Sequence, residues 1–162
     1  MKSPPVAASG LPPVPAPAAR PAPGSWFVLT NALTSGAANL YAARAEDGTP
    51  ITLGDADGGT QEQWWLAPAG DGGFTLRSRA TGRCVLPLDG IVAAGEPLVQ
   101  GDCAAPGVPH WALRPSDHGC TLGTADGELV IGVGAQRFGG DRVLTLQRPA
   151  PVRQQSWTAL PG

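Results

Sequence analysis

The sequence predicts an all-β domain of twelve short strands arranged with pseudo-threefold symmetry. Two observations carry this prediction. Glycine (23 residues) and proline (18 residues) together make up a quarter of the 162 residues, a composition that disfavours long helices. Short stretches in which apolar and polar residues alternate also recur with a period of 46 or 47 residues. We therefore expect three structurally similar repeats.

The tryptophans establish the period, because Trp64, Trp111 and Trp157 are 47 and 46 residues apart. Other sets recur at the same lags, namely Phe27, Phe74 and Cys120; Leu29, Leu76 and Leu122; and Ile51, Leu98 and Leu144. A glycine set, Gly36, Gly82 and Gly127, recurs at lags of 46 and 45. We expect the recurring apolar side chains to fill a common core, one from each repeat in each layer. Trp65 has no counterpart at either lag and is expected to lie elsewhere.

Each repeat is predicted to contain four strands. In the second repeat these are FTLRS, CVLP, PLVQG and HWAL, separated by turns rich in glycine, aspartate and threonine. A single repeat would leave one apolar edge exposed, so the three repeats must pack around a shared axis. Their expected boundaries are approximately 25–70, 71–116 and 117–162.

Residues 1–24 differ in composition from the rest of the chain. They contain eight prolines, and Lys2 and Arg20 are their charged side chains. Such a segment favours an extended polyproline II conformation. It is interpreted either as a tail or linker, or as a docking arm. The second interpretation predicts that residues 2–23 run extended, make few contacts with residues 25–162 and attach the domain to a larger protein assembly, such as a particle or an injection apparatus. The start has no leucine- or valine-rich stretch typical of a secretory signal, and the localisation stays open.

Charge and hydropathy narrow the classes of partner. The formal net charge is −2 and the arginines are scattered, which argues against nucleic acid as the main partner. Apolar runs fall short of the roughly 20 residues that a membrane span needs. Three cysteines leave one unpaired in any intramolecular scheme. Cys84 and Cys103 can close a loop, but this pairing requires an oxidising compartment.

The stretch DHGC brings Asp117, His118 and Cys120 together, with His110 nearby, and suggests a cysteine–histidine pair or a metal site. However, the repeat puts Cys120 at a core position, where it would act as a small apolar residue. His110 is expected to face solvent. The glycine-rich stretch at 132–140 lacks the spacing of a nucleotide-binding loop and is interpreted as a hairpin loop. We expect no catalytic residue, metal or cofactor, and therefore no enzyme.

Three short stretches carry a family resemblance. QQSW at 154–157, and more weakly QEQWW at 61–65 and VPHW at 108–111, resemble the Gln-x-Trp signature of the ricin-B-type β-trefoil superfamily. Glu62 and Pro109 stand where two of the three glutamines would be. GSWFVLTNALTSG resembles the start of fungal ricin-B-like lectins and inhibitors, and ATGRCV with Cys103 resembles the cystine-bearing subdomain of plant and bacterial members. The resemblance covers residues 25–161 and implies a β-trefoil preceded by the arm.

The resemblance also implies where a sugar site would lie. Galactose-binding members of the family place an aspartate after the hydrophobic residue of the second strand. The matching positions predicted here are Tyr41, Leu86 and Ile131, and none of them provides a carboxylate. The aromatic platform of the third strand is absent as well. The usual galactose site is therefore expected to be lost.

Three functions remain open at this point. The first is a non-enzymatic, lectin-like recognition or adaptor module. The second is a carbohydrate-binding lectin with one unconventional site in repeat one, surrounded by Tyr41, Asp55, Asp57 and Gln61. The third is a β-trefoil protease inhibitor that acts through surface loops. The expected partner is a protein assembly or a glycan, and the fold alone cannot decide among these functions.

Overall fold

The computed structural model describes residues 26–70 and 72–161. Within these ranges the chain forms twelve strands and four single 3-10 turns, and no α-helix. The strands are β1 (Trp26–Asn31), β2 (Ala37–Leu40), β3 (Ile51–Gly54), β4 (Gln63–Pro68), β5 (Phe74–Ser78), β6 (Cys84–Pro87), β7 (Leu98–Gly101), β8 (Trp111–Ser116), β9 (Gly119–Thr124), β10 (Val130–Phe138), β11 (Asp141–Gln147) and β12 (Trp157–Pro161). The predicted all-β class and strand number are confirmed. The predicted arm, residues 1–24, lies outside the described residues.

Six strands close a barrel in which every neighbouring pair is antiparallel. The ring runs β1–β4–β5–β8–β9–β12 and returns from β12 to β1. The other six strands form the hairpins β2–β3, β6–β7 and β10–β11, one from each repeat. The hairpins meet one another through the pairing of β11 with β3 and through bridges from Pro50 to Val99 and from Pro97 to Thr145. A closed barrel with three hairpins is the β-trefoil that the resemblance implies.

The three repeated tryptophans lie in the centre of this architecture. Trp64, Trp111 and Trp157 are each at most 1% exposed, and they pack with the recurring phenylalanine, cysteine and leucine side chains. Two of the indole N–H groups also hold a hairpin to the barrel. That of Trp64 donates to the Ala38 carbonyl at 2.9 Å, and that of Trp157 donates to the Ile131 carbonyl at 3.0 Å.

The structure corrects the repeated glycine set in the first repeat. The turn after β1 has its left-handed residue at Ser35 (φ 61°), and the equivalent turn after β5 has Gly82 (φ 75°). Both residues donate their backbone N–H to the last residue of the preceding strand, Asn31 and Ser78 respectively. Gly36 has a different reason to be glycine, because a Cβ there would lie 2.9 Å from the Gly54 carbonyl oxygen.

The second repeat contains two links that the other repeats lack among the described residues. Cys84 and Cys103 form a disulfide, with Cα atoms 5.0 Å apart. The buried Gln100 side chain joins the second repeat to the first, since its amide donates to the Arg44 and Glu46 carbonyls at 2.7 and 2.8 Å. Its own oxygen accepts from Thr81. Gln100 therefore satisfies the backbone of the loop between β2 and β3.

Candidate functional site

The structure corrects the alignment of the second strands, where the family's sugar-binding aspartate is expected. Ala38 and Ile131 are equivalent, because each accepts the hydrogen bond of a central tryptophan. The following residue lies on the opposite face of the strand. It is Asn39, Leu86 or Gly132 in the three repeats, paired with Thr52, Val99 or Thr145 on the third strand. The predicted positions Tyr41, Leu86 and Ile131 are therefore not equivalent to one another, and Asn39 and Gly132 are the residues that correspond to Leu86.

The error has a physical cause in the sequence. The second strand of the first repeat is apolar at Ala37, Ala38 and Leu40, and that of the third repeat is apolar from Val130 to Val133 apart from a glycine. Neither shows the alternation that would define which residue faces the core. Tyr41 instead begins the 3-10 turn Tyr41–Ala43 that follows β2, at the place of Leu88 in the second repeat.

None of the corrected positions provides a carboxylate either. The Asn39 amide nitrogen donates to the Thr52 hydroxyl at 3.2 Å, so this side chain is already engaged within the hairpin. Leu86 is apolar and buried. At Gly132 the side chain of Gln147 occupies the space that a Cβ would enter. Charge-assisted acceptance of two sugar hydroxyls is therefore not possible at these three positions.

The predicted ligand-binding residues of repeat one are only partly brought together. Register pairs Ala37 with Gly54 and Leu40 with Ile51, so Asp55 and Tyr41 follow opposite ends of the β2–β3 hairpin. Asp55 is exposed, and the Asp57 carboxylate accepts the Gly59 N–H at 3.0 Å within its own loop. Gln61 belongs to the 3-10 turn Thr60–Glu62, which packs against the turn that contains Tyr41.

The glutamine of the Gln-x-Trp signature has a structural role. In repeat three, Gln155 accepts the Ala150 N–H at 2.8 Å and donates to the Arg148 carbonyl at 3.0 Å. In repeat one, Glu62 has the equivalent role. Its carboxylate accepts hydrogen bonds from the N–H groups of Asp57 and Gly58 at 3.1 and 2.6 Å. Both side chains are buried and fasten the loop that precedes a central tryptophan.

The surroundings of Tyr41 were not predicted from the sequence. Its ring meets Phe138 edge-on with centroids 4.8 Å apart, and the Arg44 guanidinium lies 5.2 Å from the Tyr41 centroid. Phe138 belongs to the tip of the long β10–β11 hairpin and is 39% exposed. Repeats one and three therefore build a joint aromatic and cationic corner, which we call the Tyr41 corner (Tyr41, Arg44 and Phe138).

The cysteine–histidine hypothesis is not supported by the geometry. Cys120 is fully buried, its thiol donates to the Trp157 carbonyl at 3.3 Å, and burial raises its pKa to about 11. His118 is exposed in the turn before β9. Among the described residues, histidine, cysteine and acidic side chains do not gather in groups of three or more that could bind a metal ion. The described part of the chain also contains no helix able to cross a membrane.

A second unpredicted cluster lies on the outside of the barrel, across β1, β4 and β5. Trp65 is the cross-strand neighbour of both Trp26 and Arg77. The two indole rings meet edge-on with centroids 6.1 Å apart. Arg77 lies 5.7 Å from the Trp65 centroid and Arg79 lies 5.4 Å from the Trp26 centroid. We call these four residues the tryptophan–arginine surface.

Comparison with known proteins fits this architecture. The family model of ricin-type beta-trefoil lectin-like domains matches residues 19–101, half of the chain. The chain belongs to this family. Curated protein sequences give no match.

Solved structures show the same fold at low sequence identity. The Rhizoctonia solani agglutinin is 18% identical with a TM-score of 0.77, over 88% of this chain and 99% of its own. The Macrolepiota procera ricin B-like lectin, solved in complex with lactose, is 18% identical with a TM-score of 0.73, over 88% and 99%. An exo-beta-1,3-galactanase from Clostridium thermocellum is 16% identical with a TM-score of 0.75, over 89% of this chain but 32% of its own.

Proposed function

We propose that this β-trefoil is a non-enzymatic recognition module that does not use the galactose chemistry of its sugar-binding relatives. The observation that carries the proposal is the set of residues at the sugar-binding position of the second strands: Asn39, Leu86 and Gly132. A carboxylate accepts hydrogen bonds from two adjacent hydroxyls and gains from its charge. An amide already bonded to Thr52, a leucine and a glycine provide neither.

Calorimetric titration with lactose tests this proposal. We expect no saturable binding at millimolar concentration, the range in which a complex is worth about 4 kcal/mol. The variant Asn39→Asp is the gain-of-function control, because it places a carboxylate at the family's position in the first repeat with little change of shape. Saturation of the unsubstituted protein by lactose would disprove the proposal.

A carbohydrate-binding lectin with one unconventional site is the second candidate, and the Tyr41 corner favours it. An aromatic ring face and a guanidinium are groups that hold a sugar ring and its hydroxyls. We therefore assign this candidate to Tyr41 and the adjacent Gln61, and not to Asp55, which follows the opposite end of the hairpin.

A glycan array followed by two matched variants tests the second candidate. If a glycan binds at the corner, Tyr41→Ala removes binding, and Asp55→Ala, at an exposed residue at the far end of the hairpin, preserves it. Equal loss in both variants, or loss in the second alone, would contradict this location. An array without any bound glycan favours a protein partner and the first proposal.

Catalysis is not part of the proposal. Asp55 and Asp57 lie in an exposed loop, and the one free thiol among the described residues is buried in the core. The galactanase among the similar structures is about three times longer, and this chain covers only 32% of it. The adaptor role of residues 1–24 remains a prediction, and a pull-down with and without substitutions in that segment would identify a partner.

A further inference from the structure

The tryptophan–arginine surface is a departure from the threefold symmetry of the barrel. Its three central positions, Trp26, Trp65 and Arg77, have equivalents at the other two junctions between repeats. These are Gly73, Ala112 and Gly123 at one junction, and Gly119, Thr158 and Thr30 at the other. The fold therefore needs nothing larger than threonine at these positions. The barrel does not require the two indoles and the guanidinium at the first junction. Aromatic and arginine side chains on a surface that the fold does not require are typical of a binding site.

Two donors on this surface have no acceptor among the described residues. The Trp65 indole N–H and the Arg77 Nε–H are both buried, and neither forms a hydrogen bond with the described residues. A buried donor without a partner destabilises the folded state. The two residues are direct cross-strand neighbours and both side chains are partly exposed, so one ligand with two carbonyl groups can satisfy both donors once the side chains turn outward. The surface thus calls for a ligand that is apolar, rich in acceptors and poor in donors.

A proline-rich peptide has this chemistry, because each proline contributes a carbonyl acceptor without an N–H donor. Aromatic surfaces recognise such peptides in their extended polyproline II form, which loses little entropy on binding. The chain itself contains such a peptide seven residues before Trp26. Residues 11–18, LPPVPAPA, contain four prolines and no charge, so the two arginines do not repel them.

We propose that residues 11–18 dock on the tryptophan–arginine surface of the same molecule. Two strand spacings, about 10 Å, separate Trp26 from Arg77, and four residues of polyproline II cover that distance. The seven residues 19–25 connect the docking segment to β1 and include Gly24 and Ser25, which favour a chain reversal. Covalent attachment gives the segment a high effective concentration at its own trefoil. From sequence alone we expected few contacts between arm and trefoil, because a proline-rich arm offers few backbone N–H donors to pair with a sheet edge.

Nuclear magnetic resonance on the full chain tests the proposal directly. We expect nuclear Overhauser contacts between proline ring protons of residues 11–18 and the indole protons of Trp65 and Trp26. Replacing Pro12, Pro13, Pro15 and Pro17 together by serine should remove these contacts. The same substitutions should accelerate hydrogen exchange of the Trp65 indole N–H about tenfold, because its acceptor is lost. The indole N–H groups of Trp64 and Trp157, which have acceptors in the core, serve as internal references.

Two further variants separate docking from a general change of the protein. Trp65→Ala introduces the residue found at the equivalent position of the second repeat, so the barrel tolerates it. The variant should lose the nuclear Overhauser contacts between residues 11–18 and the indole protons. Replacing Pro149 and Pro151 by serine, both exposed in the loop before β12, is the matched proline control and should leave the contacts intact. Contacts that disappear on dilution would mean docking on a second copy, which overturns the proposal. Unchanged exchange at Trp65 in the proline variant would overturn it as well.

Discussion

Trp64 and Trp65 are adjacent in the chain but lie in two different regions, the repeated core (the inner region) and the outer face of the barrel and hairpins (the outer region). Trp64 is 1% exposed and has equivalents in both other repeats. Trp65 lies on the outer face of β4, is partly exposed, and is replaced by alanine and threonine at the equivalent positions. The inner region repeats because three repeats must fill one closely packed core with the same shapes.

The outer region does not have to fill the core, so its residues include ones that the fold itself does not require. The tryptophan–arginine surface and the Tyr41 corner both involve aromatic side chains that occur in one repeat only. The equivalent positions Asn39, Leu86 and Gly132 on the second strands show the same contrast, since their side chains have no chemistry in common. Equivalence among repeats therefore marks structure in this chain, whereas a departure from equivalence on the partly exposed outer face marks candidate function.

The largest expected effect comes from breaking the inner region. Trp64→Ala, Trp111→Ala and Trp157→Ala should each lower the free energy of unfolding by about 3–5 kcal/mol, because each leaves a large cavity in the core. Urea denaturation followed by circular dichroism measures the loss.

A finer comparison distinguishes the three tryptophans. The Trp111 indole N–H is buried and has no acceptor among the described residues, whereas those of Trp64 and Trp157 are bonded. Trp111→Phe should therefore cost about 1 kcal/mol less than Trp64→Phe, the value of one hydrogen bond. If substitution of any of the three tryptophans left the free energy of unfolding unchanged, the common core layer would be contradicted.

The next effect concerns a link that only the second repeat has. The disulfide between Cys84 and Cys103 closes a loop with a sequence separation of 19, and constraint of the unfolded chain predicts about 3 kcal/mol of stabilisation. The double variant Cys84→Ala and Cys103→Ala should lose this amount under oxidising conditions. Cys84→Ala introduces the residue that the first repeat has at Ala37, so added packing strain is not expected. Reduction of the unsubstituted protein should produce the same loss, and no loss in either experiment would contradict the prediction.

The inner region was predictable from the sequence, and the reason is its periodicity. Trp64, Trp111 and Trp157 recur at almost constant lags, and Phe27, Phe74 and Cys120 follow them, so burial and strand number could be inferred from spacing alone. The alignment of the second strands failed because they lack such periodicity. Around Leu40 and Val133 the residues are apolar on both faces, and a period of two cannot be read from such a run.

The candidate surfaces were not predictable, because they depend on neighbours that are distant in the chain. Tyr41 meets Phe138 only because β11 pairs with β3, and Trp65 meets Trp26 only through the register of β1 against β4. Asp55 was expected beside Tyr41, but the hairpin separates the two. Spacing in the sequence identifies equivalent positions and gives no information on contacts between repeats.

A smaller effect is expected from pH and concerns Cys120, which takes the place of a phenylalanine in the inner layer. Burial raises its pKa from 9.0 to about 11, so the folded protein holds the proton more tightly than the unfolded chain. The stability contributed by the neutral thiol is complete below pH 9 and is lost as the pH rises towards 11. The shift corresponds to roughly 2–3 kcal/mol. Denaturation between pH 8 and 11 should show this decline, and Cys120→Ala should reduce it. Rapid reaction of the native thiol with a maleimide would contradict its burial.

The smallest effect is expected for Trp65→Ala, and it tests the contrast between the two regions most directly. The substitution removes the edge contact with Trp26 and the cation–π contact with Arg77, each worth about 0.5–1 kcal/mol at a partly exposed site. It also removes a buried indole N–H that has no acceptor among the described residues, which offsets part of the loss. We therefore expect a net cost of about 1 kcal/mol in urea denaturation, at most a third of the cost of Trp64→Ala at the preceding residue. Trp65→Thr, the residue of the third repeat, should behave in the same way. A cost equal to that of Trp64→Ala would show that the outer face is part of the core packing and that its tryptophans are present for stability.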